Sequence, residues 1–110
     1  MRFAFEDPAQ HGRKKPANHL ADVEILFDEE GPLAGLKLVG LAIWSHGNGE
    51  LSVTLPARRI EGSGRGKDWW YEVLRVQDAP DAQQRIQHFK GSVVAAYRTH
   101  AAQTGDRRAS

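Results

Sequence analysis

Arg58, Arg59, Arg65, Lys67 and Arg75 share one stretch of the chain, 58–75, with Trp69, Trp70 and Tyr71. Guanidinium and ammonium groups neutralise phosphates, and exposed aromatic rings stack on bases. This combination is how single-stranded nucleic acid is held without sequence reading. A second reading of the same residues is open: the aromatics form core and the arginines cover carboxylates such as Glu50, Glu61 and Glu72. The candidate nucleic-acid-binding set is therefore Arg58, Arg59, Arg65, Lys67, Trp69, Trp70 and Arg75, for DNA or RNA alike. The rival function class is a protein-interaction module, and salt-dependent binding to oligonucleotides separates the two.

Other chemistries lack their residues or their spacing. There is no Cys, so disulfides, thiolate metal sites and Cys nucleophiles are excluded. The histidines at 11, 19, 46, 88 and 100 fall in no metal-ligand spacing. Ser45-His46 and Ser52 lack the context of a nucleophile elbow. Gly62-Ser63-Gly64-Arg65-Gly66 has the composition of a phosphate-binding loop, but a strand follows it where a helix N-terminus would be needed. The expectation is a non-enzymatic protein with no cofactor, no metal and no small-molecule substrate.

The elements that would position the basic and aromatic residues follow from periodicity and punctuation. Val23, Ile25 and Phe27 alternate with Asp22, Glu24 and Leu26 and end in Asp28-Glu29-Glu30-Gly31-Pro32, which predicts a strand and a turn. Segment 36–45 is apolar on both faces, with Leu36, Leu38, Ala42 and Trp44 on one and Val39, Leu41 and Ile43 on the other. That pattern suits a central strand, or one whose second face meets another subunit. His46-Gly47-Asn48-Gly49 predicts a hairpin into strand 50–55, where Leu51, Val53 and Leu55 alternate with Glu50, Ser52 and Thr54. Pro56 ends that strand, and a Gly-rich basic loop leads to strand 68–75. There Trp70 and Leu74 share one face, and Trp69, Tyr71 and Val73 the other, so at least one of Trp69 and Trp70 is expected in the core. After Asp78, a plausible N-cap, the period changes to helical. Ala82, Ile86, Phe89, Val93 and Tyr97 form one apolar stripe over a helix at 79–100.

The predicted fold is α+β: an antiparallel sheet of four or more strands with a C-terminal helix packed across one face. Residues 1–18, with Arg13-Lys14-Lys15, are expected as a flexible basic arm, although Phe3 and Phe5 leave a short added strand open. Residues 19–101 form the single domain and 102–110 a frayed tail. The formal net charge is only +1, but its distribution is uneven. Residues 20–55 carry six acids against one lysine, whereas 56–75 carry five basic residues against three acids. No apolar run reaches the length of a membrane span and the N-terminus lacks a signal-peptide core, so a soluble, cytoplasmic protein is expected. A domain too small to bury both sheet faces under one helix predicts a homodimer.

Gly35-Leu36-Lys37-Leu38-Val39, Gly49-Glu50-Leu51-Ser52-Val53 and Leu55-Pro56-Ala57-Arg58-Arg59, followed by a helix near Tyr97, resemble the SpoVG family of small bacterial proteins. In that family a strand with an LKV core leads into a Gly-hydrophobic hairpin and a Pro-Ser-Arg-Arg/Lys exit, and a C-terminal helix covers the sheet. The resemblance spans residues 21–97. It implies nucleic-acid binding and dimer formation. Ala57 stands where the family has Ser, the family's Asp-Ile-Ala-His-Pro stretch is replaced by 67–75, and the hairpin after Trp44 is longer.

Overall fold

In the computed structural model, which describes residues 1–8, 17–62 and 66–109, the elements run β1 (Arg2–Glu6), β2 (His19–Leu26), β3 (Lys37–Ser45), β4 (Leu51–Thr54), β5 (Ala57–Ile60), β6 (Trp69–Glu72) and α1 (Ala82–Ala109). The first four strands form one antiparallel sheet in the order β1-β2-β3-β4, and β5 and β6 form a separate two-stranded ribbon. This is the α+β arrangement that the change of period at Asp78 predicts.

The alternation in β2 decides which face is core. Ala21, Val23 and Ile25 are buried, and Asp22 and Glu24 lie on the opposite face. Val23, Ile25, Leu41, Ile43, Val53, Leu55 and Val93 make one apolar cluster between the sheet and α1. Full burial contributes about 1.5–3 kcal/mol for each such side chain. The helical stripe also behaves as its spacing predicts: Val93 is wholly buried, while Ile86, Phe89 and Tyr97 pack around the cluster. Phe3 meets Phe89 edge-on at 6.2 Å between ring centroids, and Phe5 meets Tyr97 at 5.6 Å.

β3 departs from strict alternation. Val23 pairs with Leu41 and Ile25 with Leu38, so β3 carries an extra residue between these two pairs. This bulge at Val39-Gly40 turns Leu38 to the side of Leu41 and Ile43, against the expectation that Leu38 shares a face with Ala42 and Trp44. Val39 is left exposed. Gly40 has φ +103°, and a Cβ there would stand 3.0 Å from the Pro56 Cβ, so no other residue fits without strain.

Three further boundaries differ from expectation. Of the segment expected as a flexible arm, Arg2–Glu6 forms β1, because Phe3 and Phe5 face α1 while Arg2 bonds Asp28 at 2.7 Å and the Met1 amino group pairs with Glu29. The basic triplet 13–15 lies outside the described residues. The helix starts three residues later than expected, with Asp81 as the residue before its first turn: the Arg85 amide donates to the Asp81 carbonyl at 3.0 Å. It then runs on to Ala109 through the segment expected to fray, since Ala101, Ala102 and Gln103 are strong helix formers. Among the described residues no helix is long and apolar enough to cross a membrane.

Candidate nucleic-acid interface

Strand 68–75 of the sequence reading is shorter in the structure, Trp69–Glu72, and its partner is β5, which lies where only an exit loop was expected. The chain leaves β4 through buried Leu55 and Pro56. Pro56 has no amide proton to continue the main ladder, but its carbonyl accepts from the Val73 amide at 2.8 Å, which closes the base of the ribbon. The register pairs Ala57 with Glu72, Arg58 with Tyr71, Arg59 with Trp70 and Ile60 with Trp69. Opposed residues share a face. One face therefore carries Arg58, Ile60, Trp69 and Tyr71, and the other Ala57, Arg59, Trp70 and Glu72.

Neither tryptophan of β6 is core, contrary to the expectation that at least one would be. Trp69 is 52% exposed, Trp70 69% and Tyr71 47%. The core is filled by β1 to β4 and α1, and among the described residues of 57–75 Leu74 alone packs against it.

The basic residues divide by their partners. Arg59 forms a salt bridge with Asp68, whose other oxygen accepts from the Gly62 amide at 3.1 Å. The Arg59 guanidinium first, and then the Gly62 amide, hold the Asp68 carboxyl below its ordinary pKa. Arg75 donates to the Tyr71 hydroxyl at 2.9 Å and its guanidinium lies 5.3 Å from that ring's centroid. Arg58 and Lys67 are exposed and have no ion-pair partner among the described residues. Arg65 lies outside the described residues. None of Glu50, Glu61 and Glu72 pairs with an arginine among the described residues; the carboxylate that pairs with an arginine of the ribbon is Asp68.

Between the ribbon and the body runs a cleft that the sequence reading missed. One cavity of about 680 Å³ is lined by Gly40, Ala42, Trp44, Thr54, Trp70 and Lys90, among others. A second, of about 600 Å³, runs toward Ala82, Gln83, Ile86 and Gln87 at the start of α1. The two share Leu55, Trp70, Glu72 and Lys90, so the cleft passes under Trp70. Trp44 is fixed in its wall: its Nε1 donates to Thr54 Oγ1 at 2.9 Å, and the His19 ring stacks on it at 4.5 Å. His19 is itself bonded to Asp22 at 3.0 Å. Lys90 follows Phe89 at the edge of the apolar stripe, and that helical position is the signal by which a groove-facing cation was open to prediction. Nothing local marks Glu72, which enters the cleft through its pairing with Ala57.

Among the described residues no group of three His, Asp or Glu is placed to hold a metal ion. The geometry defines a small α+β domain with a projecting ribbon of exposed aromatics and cations. No protein-family model, curated protein or solved structure matches the chain.

Proposed function

We propose that the chain is a small, non-enzymatic, cytoplasmic nucleic-acid-binding protein of SpoVG-like type, with the ribbon as its contact surface. The observation that carries this reading is the exposure of Trp69, Trp70 and Tyr71 together on two short strands whose neighbours Arg58 and Lys67 have no ion-pair partner among the described residues. Free cations meet phosphates and free rings meet bases, whereas a ring already in a core offers no face to stack on. The acidic segment 20–55 repels a polyanion from its own part of the surface, which favours approach from the ribbon side.

The test is a salt titration with labelled single-stranded and double-stranded oligonucleotides. Log affinity is expected to fall linearly with log salt. Replacing Arg58 and Lys67 together by Ala is expected to flatten the slope for single strands by about 1.4, two phosphates at about 0.7 each. Arg59→Ala, which removes a cation already neutralised by Asp68, is expected to change it less. No binding at low salt below millimolar concentration refutes the proposal and leaves the protein-interaction reading.

A homodimer belongs to the same proposal. Leu36 and Val39 at the bulged end of β3 and Val73 beside the ribbon are all more than half exposed, an apolar set that a second copy would cover. Sedimentation showing a 12.2 kDa species at all practical concentrations removes this element without touching the first.

A further inference from the structure

The cleft under Trp70 contains an acceptor and a donor that the protein leaves unused. Glu72 and Lys90 both line the two cavities, yet among the described residues neither side chain has an ion-pair or hydrogen-bond partner. The side walls are aromatic and small: Trp70 on the ribbon, and Trp44 with Ala42 and Gly40 on the body. The Thr54 hydroxyl, also in the wall, is engaged by Trp44. A flat ring entering here meets an indole, a carboxylate and an ammonium among the lining groups.

We infer that this cleft is a base-reading subsite selective for an unpaired guanine, which rests on the nucleic-acid reading of the ribbon and extends it. Guanine presents two adjacent N–H donors, N1 and N2, that a carboxylate accepts together, and beside them the O6 acceptor that an ammonium donates to. Adenine sets an acceptor beside its amine and so opposes the carboxylate. Thymine and uracil have one donor between two acceptors, and cytosine offers a single amine. A volume of about 680 Å³ admits a base with its sugar, and the base must be unpaired because a paired base has both its edge and its faces occupied. The strand would lie along the ribbon's basic side with one base turned into the cleft.

The experiment is fluorescence anisotropy with labelled DNA 12-mers of thymidine, either unbroken or with one central guanine, adenine, cytosine or hypoxanthine. The guanine 12-mer is expected to bind about tenfold more tightly than the all-thymidine strand, the return from one bidentate base contact. Hypoxanthine, which lacks the N2 amine, is expected to fall between. Glu72→Gln is expected to abolish the guanine preference while leaving affinity for the thymidine 12-mer unchanged or raised, and Lys90→Gln to reduce both. Trp70→Ala is expected to weaken every 12-mer about tenfold through lost stacking. Trp70 and Glu72 are exposed and Lys90 is half-buried, and unaltered melting temperatures establish that the three variants fold. Equal binding of all five strands, or a guanine preference that survives in Glu72→Gln, overturns the subsite and leaves the ribbon reading intact. Absence of binding to any strand overturns both.

Discussion

Gly40→Ala tests how the core and the ribbon are joined. Gly40 sits in the β3 bulge at φ +103°, where an L-residue is strained, and its added methyl would meet the Pro56 Cβ at 3.0 Å. The strain costs about 1–3 kcal/mol and the overpacking against a buried ring about 1–3 kcal/mol more. Gly47, in the β3–β4 hairpin at φ +81°, has nothing within 4 Å of its added Cβ and therefore isolates the first cost from the second. Thermal unfolding of both variants gives the difference. At about 4–8 °C per kcal/mol for a domain of this size, Gly47→Ala is expected to melt about 4–24 °C below the parent and Gly40→Ala about 4–24 °C lower again. Because the Pro56 carbonyl also holds Val73 at 2.8 Å, the Gly40 variant is further expected to lose oligonucleotide affinity at temperatures where it remains folded. Equal melting of the two variants would show that β3 does not pass closely under Pro56, and the account of how the ribbon is anchored would fail.

Phe89→Ala is expected to cost about 2–4 kcal/mol, below the full value for a buried Phe because part of the ring reaches solvent, and denaturant unfolding checks it. A double-mutant cycle with Phe3→Ala is expected to show coupling of about 0.5–1.5 kcal/mol, and a coupling of zero refutes the edge-on contact that holds β1 to α1. The Asp68 carboxyl has its pKa depressed by Arg59 and Gly62, so its contribution is present above the unfolded-state pKa and is lost as pH falls through the lower folded value. The Gly62 amide resonance is expected to move in that acid window, below the ordinary aspartate range, and to be flat in Asp68→Asn. Lys37, raised by Glu24, contributes in the opposite sense: its share is complete below the unfolded-state pKa and is lost as pH rises through the folded one.

The sheet and the helix were legible because their signals are repeated along each element. Val23, Ile25 and Phe27 state a period of two, and Ala82, Ile86, Phe89, Val93 and Tyr97 state a helical one, so the type of each element survives a single irregularity. The bulge at Gly40 was not legible, because one extra residue flips the face of everything beyond it without altering composition. β1 was half legible: Phe3 and Phe5 mark a face, but what draws them in is the aromatic row on α1, far away in sequence. For the site, the residue types were legible and their surroundings were not. Aromatics in a strand usually pack inward, and only the completed core shows that no room remains for Trp69 and Trp70. Likewise Arg59 and Arg58 are neighbours of one type, and the difference between them comes from Asp68, which the pairing of β5 with β6 brings back to Arg59.

The attachment of the ribbon bears on how a strand could enter the cleft beneath it. A two-stranded ribbon is marginal by itself, and this one is tied to the body by the Val73–Pro56 hydrogen bond, the short β4–β5 link and the packing of Leu74. The main sheet, in contrast, is held on its inner face by wholly buried Val23, Leu41 and Ile43 under Val93. Local opening therefore costs much less at the ribbon than in the sheet, and it widens the cleft without exposing the core. Hydrogen exchange resolves this order: amides of β5 and β6 are expected to exchange through local opening, and those of β2 and β3 only through global unfolding. A bound oligonucleotide, held by both walls of the cleft, is expected to slow the first set selectively. Equal protection of ribbon and sheet in the free protein would contradict the lower cost of opening at the ribbon, and unchanged ribbon exchange on saturation with oligonucleotide would place the bound strand elsewhere.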